Sequence, residues 1–388
     1  MASGRALVAK EERRRFSAGE GIDIPFLIQI LLLLAVGLTM LYSASSAQSQ
    51  YDTGYAISTK YLQKQAVCAL LGLVCMAAFS RIPAQFWLKI AWPLYGVSIL
   101  LLLLVLVAGE SVNGARRWIN IAGIQFQPSE LAKFTMILLF ARLTLYYGVD
   151  AVKFRYGVLG FGAALLGILV PLALEKHLSA IMLIGMVAVV MMFIAGTNPK
   201  WLLAGAGAAA GFVLIYITFM GYAGDRVTAW LHPEQDPGDT GYQILQSLYA
   251  IGSGGLFGLG FGKSRQKYLY LPFQYNDYIF AVICEELGLI GALAIIALFA
   301  ATILRGFWIA LHAQDRFSTV FAAGLVALIA VQTVLNLGVV TNLLPSTGIA
   351  LPFFSYGGTA LAVNLGEMGI LLSISRYRNH TKIQEVSL

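Results

Sequence analysis

The apolar positions of this chain fall into ten long runs, at roughly 24–46, 62–80, 88–108, 129–147, 155–174, 177–195, 199–221, 278–305, 317–342 and 357–375. A helix needs about 20 such residues to cross a bilayer. One long polar, glycine-rich interruption, 222–276, separates the seventh and eighth runs and ends at Asp277. The pattern predicts an all-α polytopic membrane protein of about ten transmembrane helices, with one long extracytoplasmic loop between helices seven and eight. The fifth and sixth runs meet at 171–175, where one broken helix is the alternative to two spans. The predicted organisation is a basic tail over 1–23, a ten-helix membrane domain over 24–376 and a short tail over 377–388.

Composition leaves little room for a soluble domain. Hydrophobic residues make up 59% and charged residues 12%, against about 25% charged in soluble domains. Arg5, Lys10, Arg13, Arg14 and Arg15 precede the first run, which spans about 23 residues and lacks a small-residue cleavage site. An uncleaved anchor is expected rather than a signal peptide. With both termini cytoplasmic, 16 of the 26 Lys and Arg residues fall on the inner side, as the positive-inside rule requires. The net charge of +7 then reflects this bias and attraction to anionic lipid, not nucleic acid. Cys68, Cys75 and Cys284 lie inside runs and form neither a disulfide framework nor a metal-ligand pattern.

Ionisable groups inside spans cost a few kcal/mol and usually have a partner or a task. In Gln127-Pro-Ser-Glu-Leu-Ala-Lys133, Glu130 and Lys133 share a helical face and can pair. Ser129 as N-cap and Glu130 in the first turn would be ordinary helix-start chemistry. Lys133 lies deeper and calls for a polar cavity. Glu285 and Glu286 are adjacent and point to different faces, so at least one needs a donor. Asp277 precedes Glu285 by eight residues, which returns to within about 80° on a helix, so the two could border one cavity. A plain N-cap is the alternative for Asp277. Arg116 and Arg117, beside Trp118 in an outward loop, suit a phosphate group or a lipid headgroup.

The run Gly258-Leu-Gly-Phe-Gly-Lys-Ser264 mimics the end of a phosphate-binding P-loop, but residue 257 is Phe257 and no strand precedes it. Nucleotide binding is rejected on that context. The glycines of 252–262 instead suit a tight or re-entrant path buried in protein. A second broken segment, from Leu344 to Gly358, carries Pro345 and Pro352, which prevent a regular helix. It brings Ser355 and Tyr356 near the membrane surface, or serves as a plain turn.

Seven motifs occur in a fixed order: Asn113-Gly-Ala-Arg-Arg-Trp118, Gln127-Pro-Ser-Glu-Leu-Ala-Lys133, His177-Leu-Ser179, Gly252-Ser-Gly-Gly255, Asp277-Tyr-Ile-Phe-Ala-Val282, Glu285-Glu-Leu-Gly288 and Pro352-Phe-Phe-Ser-Tyr-Gly-Gly358. On a ten-span pattern this order resembles the SEDS family (shape, elongation, division and sporulation; RodA, FtsW and SpoVE) over about 24–376. His177-Leu-Ser179 and Val339-Val-Thr-Asn342 look closer to the FtsW/SpoVE branch. Tyr275-Asn276 stands where the family often has His-Thr, and Glu175-Lys176 where it commonly has Glu/Gln-Pro.

The resemblance implies a peptidoglycan glycosyltransferase that polymerises lipid II at the outer face of the bacterial cytoplasmic membrane. It implies that Asp277 is the essential acid, that Glu130 and Lys133 match the family's fourth-span pair, and that Arg116 and Arg117 match its outer-loop arginines. The expected reaction is an inverting transfer with Asp277 as general base on the acceptor hydroxyl. Arg116, Arg117 and Lys133 would face the leaving diphosphate, with Glu130 holding Lys133 and Ser355 joining the substrate-binding group. Glu285, Glu286 and His177 are expected in support. The sequence requires no cofactor, and leaves open a divalent cation (Mg²⁺ or Mn²⁺) on the diphosphate. The expected partners are lipid II, a class B penicillin-binding transpeptidase, other divisome or elongation proteins and membrane lipid. A lipid II flippase, an elongation-type RodA polymerase and a scaffold for a partner synthase are the alternatives.

Overall fold

The computed structural model describes residues 8–9, 21–112, 115–121, 124–205, 207, 229–235 and 240–377. Its helices are α1 (Ile24–Asp52), α2 (Lys60–Phe79), α3 (Ala84–Ala108), α4 (Pro128–Tyr147), α5 (Phe161–Leu174), α6 (Leu178–Ala195), α7 (Thr240–Gly254), α8 (Ile279–Leu311), α9 (Arg316–Val340) and α10 (Gly358–Arg376). Among the described residues nine candidate membrane spans occur, one on each helix except α7. The predicted run 199–221 lies mostly outside the described residues, as do most of the N-terminal tail and the parts of the long loop over 222–228 and 236–239.

Two spans form at the 171–175 junction rather than one broken helix. Pro171 sits inside the last turn of α5, Glu175 caps it, and the chain turns at Lys176, whose φ is +55°. Helices α1 and α8 outrun their apolar stretches, to Asp52 and Leu311. Hydropathy marks the thickness of the bilayer, not the end of the helix, and polar turns project beyond it.

Helices α9 and α10 form the centre, with 78% of each apolar window buried inside the protein. Helix α9 packs on α4, α6 and α8, and α10 packs chiefly on α2. The small residues of α10 permit that closeness: a methyl group on Gly369 would meet the backbone of Met76 at 2.5 Å. Packing of this kind, through small residues, drives helix association where lipid is as apolar as the side chains.

The outward loop before α4 forms a small sheet that periodicity did not predict: β1 (Glu110–Val112), β2 (Ala115–Ile121) and β3 (Ile124–Phe126), in the order β1-β2-β3 and antiparallel throughout. Two of its strands are three residues long, too short to show an alternating pattern.

The long loop is also more structured than its polarity suggests. It contains α7, which packs on α8. The glycine-rich run then lies directly against α8, which is broken at Gly288 (φ +67°, ψ −170°). Leu259 N and Gly260 N donate to the carbonyls of Glu285 and Glu286, at 2.9 and 3.0 Å. Leu289 N and Ile290 N donate back to Gly255 and Leu256, at 2.9 and 3.2 Å. The unwound turn is therefore satisfied by neighbouring backbone, the condition for irregular chain at membrane depth. Only glycine permits this: a Cβ on Gly258 would stand 2.2 Å from the Glu286 carbonyl oxygen.

Candidate active site

A cavity of about 730 Å³ gathers side chains from β2, β3, α2, α4, α6 and the two loops that precede α8 and α10. Asp277 lies on its wall with Arg117, Glu130, Lys133, His177, Lys60, Lys64 and Tyr275. The carboxyl is half-buried. It is not a helix cap, since α8 begins at Ile279 with Tyr278 as N-cap and no side-chain cap bond. One carboxylate oxygen rests against Gly348, where an added Cβ would come to 3.3 Å. Gly348 has φ +66°, so both its conformation and its bareness serve this contact.

The backbone around Asp277 is held from three directions. From α9, the Asn336 amide donates to the carbonyls of Asp277 (2.8 Å) and Ile349 (2.7 Å), and Gln332 donates to Ala350 (2.9 Å). From the broken segment before α10, the Ser355 hydroxyl donates to Asn276 O (2.6 Å) and accepts from Leu351 N (2.7 Å), while Tyr356 N donates to Tyr275 O (2.9 Å). From α2, buried Gln65 donates to Ser355 O (3.2 Å) and accepts from Gly357 N (3.1 Å). Ser179 closes the circle with a hydrogen bond to Thr347 O.

Other expectations require correction. Ser355 is not among the cavity-lining residues. It is buried and its hydroxyl is occupied by backbone, so it positions the Asp277 loop rather than meeting substrate. Arg116 and Arg117 are consecutive on a strand, and consecutive strand residues point to opposite faces. Arg117 lines the cavity and donates to Lys176 O at 2.6 Å. Arg116 is exposed outside the cavity lining, and donates to Leu106 O at 3.0 Å. Ser129 is not the cap of α4, because the helix starts one residue earlier at Pro128 with Gln127 as N-cap.

Glu130 and Lys133 pair at 2.7 Å, both buried and both on the cavity wall. Glu367 of α10 is 2% exposed, and neither of its carboxylate oxygens has a hydrogen-bond partner among the described residues. It lies within electrostatic reach of Lys133 and Glu130. The rule that singled out Glu130, an acid within an apolar span, would have found Glu367 too. Lys60 and Lys64 escaped notice because they sit at the start of the second run, where flanking cations are ordinary.

Two groups near Arg117 are shifted by burial. Burial pushes the Glu175 carboxyl up to about 8, only partly offset by the Arg117 charge. Burial, with Arg117 and Lys133 adding repulsion, brings the His177 imidazole down to about 3. His177 is therefore neutral near pH 7 and gives the cavity a polar atom but no charge. The formal positive charge beside His177 comes from Arg117 and Lys133.

Glu285 and Glu286 do not border the cavity. Both are buried on the other side of α8, facing the glycine-rich run. Glu286 accepts from Gly262 N (3.0 Å), Ser264 N (3.2 Å), the Ser43 hydroxyl (2.7 Å) and the Lys267 ammonium (3.1 Å). Glu285 accepts from Arg265 N (3.0 Å), Gln266 N (3.3 Å) and the Ser264 hydroxyl. The run that mimics a P-loop is thus an anion nest, and its anion is the protein's own carboxylate. Eight residues on an unbroken helix would have kept Glu285 near Asp277, but Asp277 precedes the helix start. Among the described residues no group of three or more His, Cys, Asp and Glu could hold a metal ion.

Residues 24–380 match the model of the FtsW, RodA and SpoVE family of cell cycle proteins. The chain belongs to this family. It is 40% identical over 365 residues to the probable peptidoglycan glycosyltransferase FtsW of Geobacter metallireducens, covering 92% of this chain and 95% of that one. It is 38% identical over 364 residues to stage V sporulation protein E of Bacillus subtilis, covering 92% and 98%. Among solved structures it resembles a chain of a peptidoglycan synthase complex studied for the coordination of polymerisation and crosslinking (TM-score 0.78, 29% identity, 92% and 99% covered). It also resembles the Rod shape determining protein RodA of Thermus thermophilus (TM-score 0.69, 28% identity, 92% and 98% covered). FtsW/RodA/SpoVE membership and the helix count agree on a multi-pass membrane protein.

Proposed function

We propose that this chain is a peptidoglycan glycosyltransferase that polymerises lipid II, with both termini cytoplasmic and the cavity at the outer face of the membrane. The observation that carries the reading is the shared cavity, lined by a half-buried carboxylate and by two cations, Arg117 and Lys133. The relatives' names supply the polymer, and the positive-inside bias supplies the orientation.

In the proposed reaction the acceptor's GlcNAc 4-hydroxyl oxygen attacks the anomeric carbon of the donor's MurNAc. A new C–O bond forms as the bond to the diphosphate breaks. The hydroxyl proton passes to Asp277, and the electron pair leaves with undecaprenyl diphosphate. A positioned base contributes about 10²–10⁴ in rate. The charge that develops on the diphosphate falls to Arg117 and Lys133, and preorganised charge of this kind usually contributes more to catalysis than any other effect. Glu130 fixes Lys133, and the bare Cα of Gly348 leaves room for the carboxylate. Inversion at the anomeric carbon follows from single displacement.

A class B penicillin-binding transpeptidase is the proposed partner, supported by the likeness to a chain of a peptidoglycan synthase complex. The test is a gel assay for glycan strands made from lipid II by the purified protein, with and without that transpeptidase. Strands that depend on this chain are expected; their absence in both arms refutes the polymerase reading. One observation favours a second reading, transport of lipid II. Glu130, Lys133 and Glu367 cluster inside spans, as ionisable groups do in transporters. Translocation of labelled lipid II in vesicles, unaffected by loss of Asp277, would favour it.

A further inference from the structure

The cavity that Asp277 lines is built from two unlike sets of side chains. The elements β2, α4 and α6 contribute Arg117, Lys133 and Ser179, and α2 with the loops before α8 and α10 contributes Tyr61, Tyr275 and Tyr356. The three rings form one cluster. Tyr61 lies 4.5 Å from Tyr275 and 5.0 Å from Tyr356 by ring centroids, and Tyr275 and Tyr356 are 5.9 Å apart. They are held without any ligand: the Tyr61 hydroxyl donates to Asp52, the Tyr275 hydroxyl to Tyr61 (3.4 Å), and Tyr356 N to Tyr275 O (2.9 Å). Phe140 and Phe354, which fill the core, are at 0% exposure. These three remain half-buried and line the cavity.

The second set has its own cations. Lys60 and Lys64 are four residues apart, hence on one helical face, and both line the cavity. Lys60 keeps 37% of its side chain exposed although it lies 3.8 Å from Asp52, and Lys64 is exposed. The cavity lining therefore holds two groups of cations, Lys60 with Lys64 on α2 and Arg117 with Lys133 on β2 and α4.

A transfer between two lipid-linked glycans needs two places for phosphate and one for the accepting sugar. The acceptor must lie on the side from which the base takes its proton, and Tyr275 is two residues from Asp277. Aromatic rings offer flat apolar faces to the C–H faces of a pyranose, with a polar tip for its hydroxyls. Lysine ammonium groups suit phosphate as point charges. We propose that Tyr61, Tyr275 and Tyr356 bind the accepting hexose and that Lys60 and Lys64 hold the phosphate of the accepting lipid, while Arg117 and Lys133 serve the donor. This subsite rests on the polymerase reading.

The test uses the full chain in lipid nanodiscs, with lipid II and undecaprenyl phosphate as probes. Tyr61→Leu is expected to weaken lipid II binding about tenfold, the order of one stacking contact, and to leave binding of sugar-free undecaprenyl phosphate unchanged. Tyr61→Phe keeps the ring and is expected to stay within about twofold of the parent. The Lys60→Gln, Lys64→Gln double variant is expected to bind one equivalent of undecaprenyl phosphate where the parent binds two. In polymerisation, Tyr61→Leu raises the half-saturating lipid II concentration about tenfold, with the saturated rate within about threefold.

Equal impairment of Leu and Phe would overturn the proposal, because the hydroxyl link to Asp52 would then be the residue's role. So would two equivalents retained by the lysine variant, or a fall in the saturated rate with half-saturation unchanged. Failure of the parent to make polymer sinks the polymerase reading and the accepting role with it, while the binding arms still decide whether the rings hold a sugar. A polymerising parent with a Leu variant that binds lipid II normally sinks the subsite alone.

Discussion

Glu286→Ala, on α8, should strongly destabilise the packing of the long loop against that helix. The carboxylate is fully buried, and Lys267, with its side chain 3% exposed, is its ion-pair partner at 3.1 Å. Its removal leaves an ammonium in the interior with the Ser43 hydroxyl (3.1 Å) and the Gly262 carbonyl (2.6 Å) as its hydrogen-bond acceptors and no countercharge in an ion pair among the described residues. It also strips the acceptor from Gly262 N and Ser264 N. Breaking a buried pair by removing one partner costs about 3–5 kcal/mol, and each orphaned donor would add about 1–3 kcal/mol if it stayed buried. The loop can escape the second cost by opening to water, so the expected loss is about 3–5 kcal/mol. Thermal unfolding in detergent should show the loss, and limited proteolysis should find new cleavage within 255–267. Removing both charges with Glu286→Leu and Lys267→Met should recover most of the loss, because no uncompensated charge remains. Polymer synthesis should fall in the single variant, since the same run leads into Asp277. A Glu286→Ala protein within about 1 kcal/mol of the parent, or a double variant no better than the single, would refute this reasoning.

Gly348→Ala should keep the helical fold but cut polymer synthesis at least tenfold: φ of +66° costs a side chain about 1–2 kcal/mol, and the methyl would press on Asp277 at 3.3 Å; circular dichroism and the strand gel check both parts. Arg117→Ala should reduce the rate on the order of 10²-fold, as loss of one preorganised charge-stabilising group does, while Arg116→Ala, outside the cavity lining, should stay within about threefold in the same assay. Stability should have an optimum in mildly acidic solution. His177, down at about 3 when folded against 6.5 ordinarily, binds its proton only on unfolding, so stability is lost as pH falls from about 6.5 towards 3. Glu175, up at about 8 against 4.5, holds its proton longer in the folded state, so stability declines as pH rises from about 4.5 to 8. Unfolding midpoints of Glu175→Gln across pH should lack the second decline and keep the first.

The spans were legible because hydropathy over twenty residues is a strong, local signal, but the junction of α5 and α6 was read only as lying near 171–175, with one broken helix left open, and the turn falls at Lys176. The sheet before α4 was not, since strands of three residues carry no periodicity. The cavity was legible where charge intruded on apolar sequence, as at Glu130 and Lys133, or at the end of the polar loop, as at Asp277. Arg116 shows the limit: a pair of arginines reads as one feature, and only strand geometry separates the member that faces the cavity. Glu285 shows another, because the helical step count that linked it to Asp277 assumed a helix reaching back that far. The aromatic wall was invisible because its members come from α2 and two separate loops, which tertiary hydrogen bonds such as those of Ser355, Gln65 and Asn336 bring together.

Asp277→Asn removes one ionisable oxygen and little else, so it isolates the chemistry from the architecture. The decisive measurement is glycan strand formation from purified lipid II by this variant, inserted and folded like the parent and supplied with the partner transpeptidase. The account predicts no strands. Strands formed at close to the parental rate would contradict it, and would remove the carboxylate from the reaction.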